Sequence, residues 1–188
     1  MNKSYRKILT NKYYLALIII ALVLLIGLIL PEDLTIPVDQ ASTTDWNHQT
    51  FWHEPWGASG VHKGIDIFAP GGRNVISATY GVVIYKANLR LGGNVVAVLG
   101  PKWRIHYYAH MAQIDVGIGS LLNRRDVIGT VGDTGNAKGK PPHLHYSIIT
   151  LLPYLTRWDR STQGWLKMFF LDPSERLLVE EIAKETGP

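Results

Sequence analysis

Asn74-Val75-Ile76-Ser77-Ala78, Gly81-Val82-Val83-Ile84-Tyr85 and Asn94-Val95-Val96-Ala97-Val98 are three closely spaced runs rich in β-branched residues, with Gly92-Gly93 as the turn before the third. None is long enough, or carries the apolar period of 3.6, to make an amphipathic helix, so each reads as a strand. Working outward, similar runs recur at residues 64–67, 104–110, 127–131 and 144–149, with Pro70-Gly71-Gly72 and the glycine-rich stretch 132–139 as breakers. Seven strand candidates with no long amphipathic helix between them predict an antiparallel all-β domain.

The flanks differ from this centre. Residues 13–30 (YYLALIIIALVLLIGLIL) are 18 in number and carry no charge. As a helix they would extend about 27 Å, close to the ~30 Å of a bilayer's hydrocarbon. The stretch exceeds a usual signal-peptide core and lacks a small-residue cleavage site before Pro31-Glu32-Asp33, which predicts an uncleaved signal anchor. Lys3, Arg6, Lys7 and Lys12 precede it and no basic residue follows until Lys63, so the positive-inside rule places the N-terminus in the cytoplasm and the remainder outside. The same four residues account for the net charge of +4, and from Pro31 onward 15 basic residues face 15 acidic ones. The balance gives no electrostatic footprint for nucleic acid. The chain has no cysteine, which excludes disulfides and thiolate zinc sites.

The predicted organisation is a basic flank and transmembrane anchor over 1–30, an extended tether over 31–48, a β domain over 49–150, and an apolar insertion with a C-terminal helix over 151–188. In that last part Pro153 and Gly164 interrupt a run that holds Trp158, Trp165, Phe169 and Phe170, so a second membrane span is not expected. Asp172-Pro173-Ser174 then opens a short helix with Leu177, Leu178 and Ile182 on one face.

Two strand candidates carry chemistry. In Pro142-His143-Leu144-His145-Tyr146 the two imidazoles share one face and Leu144 and Tyr146 the other. In His62-Lys63-Gly64-Ile65-Asp66-Ile67, His62, Gly64 and Asp66 share a face, and Gly64 leaves the space between imidazole and carboxylate empty. His62, Asp66 and His145 together supply two nitrogens and one oxygen, the donor set of a hydrolytic zinc site with an open position. It equally suits a facial-triad iron site. A third run, residues 103–110, puts His106, Tyr108 and His110 on one face by strict alternation. A metal hydrolase also needs a proton acceptor and a group to stabilise the oxyanion. No His-Glu-x-x-His glutamate is present, and the non-ligand histidines His110 and His143 fit those tasks.

The order His-x-x-x-Asp at 62 and 66, Tyr-Ala-His-Met at 108–111 and His-Leu-His-Tyr at 143–146 resembles the M23 zinc metallopeptidases of the lysostaphin and LytM type. The likeness runs from Pro55-Trp56-Gly57 to about Ile149, with supporting turns at Gly81-Val82-Val83 and 132–136. It implies a two-sheet antiparallel, sandwich-like fold with zinc (Zn2+) in a groove on His62, Asp66 and His145, catalytic roles for His110 and His143, and peptidoglycan peptides as substrate. Some relatives lose ligands and serve as non-enzymatic modules that bind wall or activate another wall hydrolase; here all five residues are retained. Only residues 58–61 separate the Pro-Trp-Gly turn from His62, which predicts a low groove wall on that side. Trp56 receives no catalytic role, and residues 150–171 have no counterpart in the family core.

Overall fold

A computed structural model describes residues 12–186, with side-chain surroundings through residue 182, and among the described residues nine strands, all paired antiparallel, and two α-helices build the fold. Helix α1 (Lys12–Ile29) is followed by β1 (Ile65–Phe68), β2 (Asn74–Ile76), β3 (Gly81–Leu89), β4 (Gly93–Gly100) and β5 (Arg104–Ile114). Then come β6 (Leu121–Leu122), β7 (Val127–Val131), β8 (His143–Thr150), β9 (Phe170–Leu171) and helix α2 (Pro173–Thr186). All seven expected strands form. The two-residue strands β6 and β9 are additions that periodicity cannot signal, because two residues carry no period.

The main layer runs β1-β8-β5-β4-β3-β6, with β9 added along β8. A small β2–β7 ladder forms the second layer. The layers are joined rather than separate, since β5 runs on past its pairing with β8 and pairs with β7 at Met111, Gln113 and Ile114. Between them lies the core: Ile65 and Ile67 of β1, Val96 and Val98 of β4, Tyr108 and Met111 of β5, Ile128 and Val131 of β7, and Leu144, Tyr146 and Ile148 of β8. Alternation therefore works as expected on β8, with Leu144 and Tyr146 inward and His143 and His145 on the opposite face.

Two expectations need correction. Residues 31–48 are no tether: Leu34, Ile36, Val38 and Trp46 are buried in the core, and Val38 bridges Val75 of β2. Spacing hid this, because the apolar residues are held by backbone bonds such as Thr35 N–H to Ala78 O (2.8 Å) and Ile76 N–H to Pro37 O (3.0 Å) and not by a regular strand. Glu32, three residues beyond α1, is itself buried at 2% side-chain exposure against Arg104, with Arg176 Nη1 at 3.4 Å and His106 Nε2 at 3.5 Å. In α2 the expected apolar face is narrower than drawn. Leu177 is buried, whereas Leu178 is only partly so and Ile182 is 57% exposed. Its start is as expected, with Pro173 in the first turn and the Asp172 carboxylate accepting from Ser174 N–H at 2.9 Å.

Helix α1 has no buried residue and is long and apolar enough to cross a membrane. Lys3, Arg6 and Lys7, on which the expected orientation rests, lie outside the described residues.

Candidate metal centre

β1 and β8 pair with Asp66 opposite His145 and Phe68 opposite His143, so one register brings the carboxylate and both imidazoles to the same face. His62 enters from the loop before β1. Its Nε2 lies 3.1 Å from Asp66 Oδ1 and 3.1 Å from His145 Nδ1, and His145 Nδ1 lies 2.8 Å from Asp66 Oδ1. Among the described residues, His62, Asp66 and His145 form the group whose donor atoms lie within 4.8 Å of one another. Gly64 permits this approach: a Cβ there would overlap the Tyr146 carbonyl and sit 2.6 Å from Ser147 Oγ.

The hydrogen bonds behind these atoms decide what they can hold. The Thr50 carbonyl can only accept, so His62 donates to it through Nδ1 (3.1 Å) and turns an Nε2 lone pair toward Asp66 Oδ1. Two acceptors 3.1 Å apart repel unless a cation lies between them. One shared proton satisfies a single pair; a metal ion satisfies all three ligand atoms at once, and the residues fit it. His145 Nε2 has its own partner, Ser147 Oγ at 3.0 Å. Trp56 stacks on the His62 ring, with centroids 4.0 Å apart and planes 16° apart, and so fixes its plane. Burial acts to raise the Asp66 pKa, but the adjacent His145 and His62 rings, which favour the ionised carboxylate when protonated, outweigh it and hold the carboxyl well below its ordinary value. Burial lowers that of His145.

His143 and His110 flank this group without joining it. His143 Nδ1 donates to Pro141 O (2.8 Å), and its Nε2 lies 3.9 Å from Asp66 Oδ2. His110 Nδ1 donates to Thr134 O (2.8 Å), and the two rings meet edge to face at 5.1 Å. Both thus carry their proton on Nδ1 and leave Nε2 as the acceptor. Burial, then the repulsion a protonated His145 would exert, brings the His110 pKa down to about 4.

His110 reaches this face against the alternation rule, which is a further correction. His106 and Tyr108 are both fully buried on the opposite side, where His106 Nδ1 is 2.7 Å from Tyr146 Oη. Between Tyr108, opposite Val96, and Met111, opposite Asn94, β5 holds one residue more than β4. At this bulge His110 takes φ 63°, so its side chain turns to the site while Met111 returns to the core.

A groove of about 560 Å³ runs past these residues, lined on its apolar side by Phe68, Tyr107, Ile149 and Phe170. Its wall at Trp56 and Ser59, expected to be low, is braced by the 151–171 insertion. Gln163 Nε2 donates to Ser59 O (3.1 Å), Trp52 Nε1 donates to Thr162 O (3.1 Å), and the insertion's Phe170 lines the groove. Sequence reasoning missed Ser147, although it lies on the His145 face two residues on. It also missed the carbonyls of Thr50, Thr134 and Pro141, for which side-chain identity carries no signal.

The model of peptidase family M23 matches residues 60–154, just over half of the chain. The chain belongs to peptidase family M23. It is 35% identical over 136 residues to the L-Ala–D-Glu endopeptidase of Bacillus subtilis, covering 62% of this chain and 42% of that protein. It therefore spans less than half the length of that curated relative. Among solved structures, a zinc-containing peptidase from Vibrio cholerae is 28% identical with a TM-score of 0.50, covering 62% of this chain and 36% of the other. The catalytic domain of lysostaphin from Staphylococcus simulans shares the fold at 21% identity and a TM-score of 0.57, over 74% of this chain and 99% of that one.

Proposed function

We propose that this M23 chain is a membrane-anchored zinc endopeptidase that hydrolyses peptide bonds of bacterial cell-wall peptidoglycan. The observation that carries the reading is the convergence of three ligand-type atoms beside two imidazoles whose protons are committed elsewhere, along a groove of about 560 Å³. The M23 relationship and the names of the relatives, an L-Ala–D-Glu endopeptidase and a zinc-containing peptidase, support it.

His62 Nε2, Asp66 Oδ1 and His145 Nδ1 would hold the zinc. When bound, zinc lowers the pKa of a water toward about 7 and polarises the scissile carbonyl. The remaining work falls to the chain. His143 and His110 present Nε2 lone pairs from which a proton can be taken up and returned to the leaving amine, and either imidazolium offsets charge developing on the carbonyl oxygen. Phe68, Tyr107, Ile149 and Phe170 hold an extended peptide along the groove and keep water from its apolar side. Helix α1 anchors the chain with its N-terminus in the cytoplasm and the β domain outside.

Incubating purified full-length chain with cell-wall fragments and following the peptides by mass spectrometry tests the activity. New amine and carboxyl termini should accumulate with zinc and not with a chelator; intact fragments at stoichiometric zinc would refute it. A periplasmic-type phosphatase fused after Pro188 should be active, and activity of a cytoplasmic reporter there would refute the orientation.

A further inference from the structure

The end of the main sheet nearest α1 differs from the rest of the surface. β3 starts there at Gly81, β4 ends at Gly100, β5 starts at Arg104 and β8 ends at Thr150, since Gly100, Arg104 and Thr150 lie in one row and the pair Val82–Leu99 in the row beside it. Around that row Leu121 is 83%, Leu151 52% and Leu152 49% exposed. Leu151 N–H bonds to the Trp103 carbonyl at 3.1 Å, which ties the 151–152 pair to the turn Pro101–Trp103.

That turn touches the apolar helix. Trp103 Nε1 donates to the Leu24 carbonyl at 2.9 Å, and the indole lies against Gly27, where a side chain would collide with it. Leu24 is five residues before the helix end at Ile29, or about 7.5 Å inside it at 1.5 Å per residue. On the other side of the exit, Tyr80 Oη donates to the Pro31 carbonyl at 2.9 Å. Two aromatics with a polar tip bracket the point where the chain leaves the helix, the usual placement of Trp and Tyr at a membrane–water boundary. No slack follows: Glu32 is already buried against Arg104, which stands in the row just described.

We propose that this sheet end is a second membrane contact, with Trp103, Leu121, Leu151 and Leu152 resting in the headgroup and upper acyl region beside α1. The proposal rests on α1 being the anchor described above. If α1 spans the bilayer, Trp103 is carried to the depth of Leu24, and its neighbours in the row come with it. The domain then sits flush on the lipid instead of moving on a leash. Thr150 stands five positions beyond His145, which sets the metal centre at roughly 17 Å above that contact along β8.

The cysteine-free chain allows a direct test. Full-length protein carrying one nitroxide label, at L22C, L89C, L121C or L151C, is reconstituted in nanodiscs of phosphatidylcholine and phosphatidylglycerol. Accessibility to oxygen and to a water-soluble nickel chelate then reports depth. All four positions are exposed, and Leu89 lies at the far end of β3. Leu22 should read as hydrocarbon, Leu121 and Leu151 as the acyl–headgroup boundary, and Leu89 as water. Leu22 in hydrocarbon with Leu121 or Leu151 in water overturns the second contact and leaves the anchor standing. Leu22 in water removes the anchor and the proposal with it. Labels at 121 and 151 shielded from both reagents would mean that protein covers this end, which also overturns it.

Discussion

Replacing His110 by glycine and by alanine separates what its side chain does from what its backbone costs. Both variants delete the imidazole and its 2.8 Å bond to Thr134 O, so that loss cancels when the two are compared. What remains is φ 63°. An L-residue in the left-handed region costs roughly 1–2 kcal/mol, which glycine avoids, while glycine's freer unfolded chain returns about 0.5–1 kcal/mol. His110→Gly should therefore be more stable than His110→Ala by about 0.5–1 kcal/mol, the reverse of their order in a regular strand. In a chain of this size that is a rise in Tm on the order of 1–4 °C, measurable by thermal melts of the zinc-loaded protein in one detergent. Both variants should keep zinc and lose on the order of 10²–10⁴-fold in wall-peptide hydrolysis. Alanine as stable as glycine would refute the strained bulge; unchanged hydrolysis would refute the role of His110.

His143→Ala should retain about one zinc per chain while losing on the order of 10²–10⁴-fold in rate; loss of metal measured on the same preparation would make His143 a ligand. Asp66→Ala and His145→Ala should each lose both metal and activity, because two remaining protein ligands hold zinc poorly; wild-type zinc content in either would refute the assignment. Glu32→Gln should destabilise the fold by ~3–5 kcal/mol near neutral pH, since it leaves Arg104 buried without its counter-charge. Burial raises the Glu32 pKa, but His106, Arg104 and Arg176 outweigh it and bring it below its ordinary 4.5. A depressed carboxylate contributes stability that is full above 4.5 and is lost as pH falls through the folded value. The gap between wild type and Glu32→Gln should accordingly close in acid; a gap independent of pH in denaturant titrations would refute the ionic account.

The strands were legible because each is one element with a period, and the donor trio was legible in part because Asp66 and His145 each lie on such a strand. Asp66 and His145 lie opposite one another in a regular ladder, and His62 stands four residues from Asp66. Alternation gives the wrong face for His110 because a bulge is a mismatch between two strands, β4 and β5, and neither strand's own pattern contains it. Residues 31–48 read as a tether because Leu34, Ile36 and Val38 are spread among polar residues and prolines; their burial depends on a partner, Val75, that lies 37 residues beyond Val38. The insertion's bracing of Ser59 by Gln163 likewise joins residues 104 positions apart. What local reading loses is pairing at a distance.

The partners of His62, His110 and His143 at Nδ1 are the carbonyl oxygens of Thr50, Thr134 and Pro141. Every amino acid supplies that oxygen. A point substitution at 50, 134 or 141 can alter the loop's shape but cannot delete the acceptor, whereas an aspartate or asparagine in the same role would be one codon from failure. The tautomer of three site imidazoles is thus written into the path of the main chain. It is open to insertions and deletions that re-route a loop, and nearly closed to single-residue drift.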